Sequence, residues 1–296
     1  LIPPPNTLSQ MEQVLGGGIS IDQLNKYLFS FVNSLESQKK SRLKIANSIW
    51  FKEGGIEINP NFLQTNANYY GADAYAAAFD ESTVADINKW ADKNTEGMIK
   101  EILKEIPDEA IMYLINAVMF DAEWARIYNK GDIIINEFTA FGGNKQTAEF
   151  MGSDEYSLIL DTQAKGFIKP YYKNKYSFVA LLPDEGVSIN NYVDSLTGER
   201  FLSMVENAQK TKVATKMPKF EFDFSVKLKD ILKAMGMIDA FECSGANFSK
   251  MGSANGNIYI SNVQHKTFIS VNERGTRAGA VTSVENDATS APRHYI

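Results

Sequence analysis

The chain has 296 residues, is 44% hydrophobic and 11% aromatic, and carries a formal net charge of −6. This supports a large buried core or two small ones, excludes a disordered chain, and argues against nucleic acid or an anionic membrane as the main partner. The single cysteine, Cys243, rules out an internal disulfide; no apolar run reaches membrane-spanning length, and no linker or shift of composition divides the chain, so one domain is expected.

Three consecutive prolines make residues 1–6 extended. Leu8, Met11 and Leu15 recur at helical spacing, with Thr7 as the cap and Gly16 as the stop. Ser20 and Gln23 form a capping box ahead of the stripe Ile21, Leu24, Leu28, Phe31 and Leu35, which predicts a helix to residue 36. Leu43, Ile45 and Ile49 alternate as a strand does. Asn59-Pro60 opens a short helix with proline at its first position. Residues 72–79 read as a strand, and Ser82 caps a helix that buries Ile87 and Trp90. Residues 111–120 are nearly all apolar, which predicts a strand covered on both faces, with Asn116 as its one polar residue.

Further strands are expected over 138–151, 158–167, 176–182 and 212–220, and short helices over 188–196 and 198–208. Ser225 caps a helix that Gly236 ends, and strands follow over 257–263 and 266–271. Helices gather early and strands late, the pattern of an α+β class. The last segment, 271–284, splits into two faces when read as a strand. One carries Thr276, Ala278, Ala280, Thr282 and Val284, all small or β-branched; the other carries Arg277, Gly279, Val281, Ser283 and Glu285, with its charges toward water. Residues 285–290 read as exposed loop. Such a segment is either a strand that slots between two others or an edge strand with a frayed end.

Little in the chain suits catalysis. Its two histidines are His265 and His294, and it holds no G-x-S-x-G, H-E-x-x-H, Walker or G-x-G-x-x-G motif. Gly16-Gly17-Gly18 follows a helix, so it is a helix stop and not a phosphate cradle. Cys243 sits in an apolar context, which disfavours a thiol dyad. His265 has no second ligand near it in sequence and reads as a hydrogen-bonded core or rim histidine, not a metal ligand. No catalytic residue, metal or cofactor is expected.

Several ordered motifs resemble the serpin family, and a bacterial-type member in particular. They are Asn88-Lys89-Trp90 with residues 94–99, residues 114–120 followed by Trp124, Lys169-Pro170-Tyr171, residues 179–183, Met217-Pro218-Lys219-Phe220, residues 232–241, Asn247-Phe248-Ser249, Val263-Gln264-His265-Lys266, and the hinge-like run 271–276. They span the chain from about Thr7 onward. The resemblance implies a single serpin domain over 1–296: a large mixed central sheet, smaller sheets, surrounding helices, and a mobile reactive-centre loop over about 273–296. Relative to the family the chain opens at the third helix and stops just past the loop. It therefore reads as incomplete at both ends, either a fragment or a cleaved chain whose C-terminal peptide is separate.

By the same resemblance, Asn116 and His265 are the shutter that bridges two central strands, each satisfying the other. Lys219 and Glu273 pair at the breach beside Trp124, and Glu273, Gly275, Thr276, Ala278 and Ala280 form the loop hinge. Family spacing places the scissile bond at Thr289-Ser290, suited to elastase-like or subtilisin-like proteases, with Arg293-His294 as the runner-up. The implied function is suicide-substrate inhibition. The partner is a serine protease held as a covalent acyl-enzyme, with a cysteine protease as a further target and the protein's own C-terminal peptide as a companion after cleavage. The implied location is extracellular or at the cell surface. A non-inhibitory binding or chaperone-like protein of the same fold, or an inactive fragment, are the alternatives.

Overall fold

A computed structural model describes residues 6–35, 39–140 and 142–288. Two helices lead, α1 (Thr7–Gly16) and α2 (Ile21–Ser34), followed by β1 (Ser41–Lys52), β2 (Ile56–Ile58), α3 (Pro60–Tyr70), β3 (Asp73–Ala77), α4 (Glu81–Asn94) and β4 (Ala110–Glu123). The middle of the chain holds β5 (Ile133–Thr139), β6 (Lys145–Glu155), β7 (Leu158–Leu160), β8 (Ala164–Pro170), β9 (Ser177–Pro183), α5 (Ile189–Ser195) and α6 (Gly198–Glu206). The remainder is β10 (Val213–Pro218), β11 (Phe220–Lys227), α7 (Lys229–Ala234), β12 (Gly252–Ala254), β13 (Ile258–Val271) and β14 (Gly275–Ala288).

The caps explain several boundaries. The Ser20–Gln23 box opens α2 as expected, and Pro60 stands at the start of α3 behind the Asn59 cap. Two caps differ from the sequence reading. Asn6, not Thr7, caps α1, while the Thr7 hydroxyl donates to the Gly245 carbonyl. Asp80, not Ser82, caps α4, because its carboxylate accepts from the backbone N–H groups of both Ser82 and Thr83. The strand expected over 138–151 is two strands, β5 and β6, paired antiparallel across a turn where Gly142 and Gly143 take positive φ.

A six-stranded sheet in the order β11-β13-β14-β4-β1-β3 dominates the fold, with two three-stranded sheets and a two-stranded one beside it. It is mixed: β1 and β3 run parallel and the other neighbours antiparallel. On one face α4 and the chain that follows it bury Ile87, Trp90, Ala91, Ile99, Ile102 and Leu103 against Tyr113, Ile115, Ala117 and Val281. On the other, residues of α1 and α7 pack with Ile260, Val263 and Val284. The expectation that residues 111–120 are covered on both faces thus describes β4 itself.

Candidate functional site at the sheet centre

β14 is the centre of the site. Its fourteen residues lie between β13 and β4 and are antiparallel to both. Of the two readings left open for this segment, the strand between strands is the one observed. The neighbours across Thr276, for example, are Val271 and Ala122. The described part of the expected loop is therefore a middle strand. Thr289, Ser290, Arg293 and His294 lie outside the described residues.

At the start of β14 the chain turns through residues 272–274, where two backbone N–H groups hold it: Trp124 donates to the Arg274 carbonyl and Tyr128 to the Glu273 carbonyl. The indole N–H of Trp124 donates to the Asn272 carbonyl at 2.9 Å. Lys219 Nζ lies 2.9 Å from Glu273 and 3.2 Å from Glu149. Glu273 holds the Lys219 ammonium above its ordinary pKa, and Lys219 in turn holds the Glu273 carboxyl below its own. Gly275 then passes so close to β4 that a Cβ would sit 2.0 Å from the Ala122 carbonyl oxygen, which explains glycine there.

Thr276 is the first buried side chain. It accepts a 2.7 Å hydrogen bond from the Tyr171 hydroxyl, whose ring stacks on Trp124 at 4.6 Å. Burial pushes the Tyr171 hydroxyl pKa up. Beneath this plate lies the ion pair Lys169–Glu155 at 2.6 Å, both side chains nearly sealed from water, with Lys169 Nζ 4.3 Å from the Tyr128 ring centroid. Tyr171 and Lys169 lie within a family-like motif, and the sequence alone assigns neither a role.

Midway along the sheet, His265 Nδ1 is 2.7 Å from Thr282 Oγ1. Asn116 instead donates to Asn47 Oδ1 at 2.8 Å, and Asn47 donates to the Tyr70 carbonyl. The expected mutual satisfaction of Asn116 and His265 is corrected here. β14 stands between their strands, with Thr282 in register with both residues, so each finds a different partner.

A second correction concerns the faces of β14. Arg277 does point outward, 50% exposed. Gly279, Val281, Ser283 and Glu285 were expected on that water-facing side, yet all are buried. The reason lies in α4 and residues 95–109, which roof this face: Val281 joins the Trp90 and Ile99 cluster, and a Cβ on Gly279 would lie 3.0 Å from Met98. The expected exposed loop from residue 285 is likewise wrong for Glu285, Asn286 and Asp287, which are buried in the strand. Of the inward row, Thr276 is fully buried and Ala278, Ala280, Thr282 and Val284 are half-buried.

Among the described residues no group of three or more His, Cys, Asp or Glu side chains can hold a metal ion. The arrangement is a segment with small inward side chains, anchored at one end by an ion pair and an aromatic plate, that completes two hydrogen-bonded ladders.

A family profile described as Serpin (serine protease inhibitor) matches residues 5–296. A leukocyte elastase inhibitor of Xenopus laevis is 31% identical over 253 residues, which are 81% of this chain and 67% of that protein. In three dimensions the chain is similar to the thermophilic serpin tengpin, solved in two states. The latent-state structure superposes with a TM-score of 0.91 at 52% identity, covering 96% of this chain and 77% of that one. The native-state structure gives 0.88 at 48% identity, covering 98% and 73%.

Proposed function

This chain belongs to the serpin family, and from that premise we propose that it is no enzyme but a suicide-substrate inhibitor of serine proteases. The observation that supports this most is β14, a strand of small inward residues lying between β13 and β4. That one relative is described in both a native and a latent state supports two arrangements of such a chain.

The protease serine hydroxyl adds to the Thr289 carbonyl, and the protease histidine carries the hydroxyl proton to the departing Ser290 amine. The peptide bond breaks and an ester to Thr289 forms. Residues 276–288, free at one end, then enter the sheet from Thr276 onward. Fourteen residues of strand span roughly 45 Å, so the ester and the enzyme attached to it are carried about that far from the hinge. Net hydrogen bonding at about 1 kcal/mol for each of a dozen residues contributes on the order of 10 kcal/mol. Inhibition follows when this motion outruns hydrolysis of the ester. Strand addition by a serpin loop is an established physical mode; what is proposed is that this chain uses it, with these residues.

In this reading Glu273–Lys219 and Trp124 form the breach, Glu273, Gly275, Thr276, Ala278 and Ala280 the hinge, and Asn116 and His265 the shutter, now read as two flanks that each bond elsewhere once β14 is seated. Small residues at Ala288 and Thr289 point to elastase-like or subtilisin-like targets, and Arg293 is the alternative site for a trypsin-like enzyme. The extracellular or cell-surface location belongs to the same proposal and is tested by fractionating the producing cells.

The decisive experiment incubates the full-length protein with elastase, subtilisin and trypsin. A covalent adduct stable on a denaturing gel, with a released peptide beginning at Ser290, is the expected result. Cleavage of the loop by all three enzymes without any adduct refutes the inhibitor.

A further inference from the structure

The far end of β14 is built unlike its start. Glu285 and Asp287 are buried at 8% and 5% exposure. Glu285 Oε1, Asp287 Oδ1 and Asn286 Nδ2 have no hydrogen-bond partner, and neither has the hydroxyl of Tyr113, the residue in register with Glu285 on β4. The groups that bear on the two acids come from every neighbouring element. Tyr113 and Glu109 lie on and just before β4, and Tyr259 and Ser261 on β13. Lys227, at the end of β11, acts on Glu285, and Lys229, in α7, acts on Asp287; both cations weigh less than burial does. Burial and the charge of Asp287 push the Glu285 carboxyl up to about 7, and burial raises Asp287 as well.

A buried carboxylate with one oxygen unpaired is costly, and the help that Tyr113 gives Glu285 and that Ser261 and Tyr259 give Asp287 does not offset burial, whereas the neutral acid loses less on leaving water. We propose that seating the last residues of β14 takes up protons at Glu285 and Asp287, so that strand insertion completes more readily in mildly acidic surroundings than in alkaline ones. This rests on the insertion reading above. The sign follows from linkage. A carboxyl raised in the seated strand favours that state fully below its ordinary value near 4.5, and the favour is lost as pH rises through about 7. For Glu285 alone this amounts to roughly a 70-fold change in the seating equilibrium between pH 5 and 8.

The test compares urea unfolding of the full-length protein, intact and cleaved in its loop by a metalloprotease, which forms no acyl-enzyme and so leaves no adduct, from pH 5 to 8.5. Wild type, Glu285→Gln, Asp287→Asn and the double variant are measured. The stability gained on cleavage should shrink with rising pH in wild type and stay level in the double variant. A gain in wild type that does not vary with pH, or a double variant as steep as wild type, overturns the proton coupling alone. No gain on cleavage at any pH sinks the insertion reading instead. A second readout needs no variant: proton uptake on cleavage at pH 6.5 in weak buffer, where peptide hydrolysis itself exchanges few protons. Uptake supports the coupling, and its absence overturns it.

Discussion

Thr276→Arg probes the first step of strand entry. Thr276 is 3% exposed and accepts the Tyr171 hydroxyl, itself locked in a stack on Trp124. Arginine removes that acceptor and leaves a buried phenol unpaired, a loss of about 1–3 kcal/mol. It also asks a guanidinium to enter a sealed site, at a penalty of several kcal/mol. Because Thr276 enters first, most of this falls on the barrier to starting insertion, while hydrolysis of the ester is untouched. Even about 3 kcal/mol slows entry more than 100-fold, so the acyl-enzyme should hydrolyse before the strand seats. On a denaturing gel with elastase or subtilisin, the variant should appear as cleaved inhibitor with almost no adduct. Arg277→Ala, at a half-exposed position with only a 3.9 Å approach to Asp121, should form adduct as wild type does. Wild-type adduct yield from Thr276→Arg would refute the hinge assignment.

Three further outcomes are expected. Gly275→Ala meets the Ala122 carbonyl, so the loop-cleaved protein should unfold at clearly lower urea, with the intact protein little changed. Equal effects on both forms would mean that Gly275 is not a contact of the seated strand. Val281→Ala removes two methyl groups from a fully buried place among Trp90 and Ile99 and should cost the cleaved form about 2 kcal/mol, read by the same unfolding comparison. Lys219→Ala or Glu273→Ala breaks an ion pair with side chains 24% and 42% exposed, so the stability change should stay within about 1 kcal/mol. Since Lys219 depresses the Glu273 pKa, the pair's contribution is present above the ordinary glutamate value and fades as pH falls through the lowered one, which acid titration of wild type against Glu273→Gln measures.

Much of this was legible because it is local. Alternation from Thr276 to Val284 identified a strand with a small inward row, and Pro60 and the Ser20–Gln23 pair marked helix starts from a few neighbouring atoms. What stayed hidden was long-range. Alternation says that a strand has two faces but not what covers them, and the roof over Gly279 and Val281 comes from residues nearly two hundred positions earlier in the chain. The same holds for Glu285, whose charge reads as solvent-facing until the fold sets it in register with Tyr113 and buries it. Thr282 escaped notice as the partner of His265 because the pairing exists only when β14 lies between its neighbours. Ser225 looked like a helix cap, yet pairing with Lys266 draws it into β11 and delays α7 to Lys229.

β14 runs opposite to both β13 and β4, so those two run the same way as each other and meet only through it. Joining can proceed like a zip, one residue after another from Thr276. Departure from the middle requires both borders to open together. In the proposed mechanism a seated strand can leave only by giving up both ladders, so each residue that joins makes the return slower.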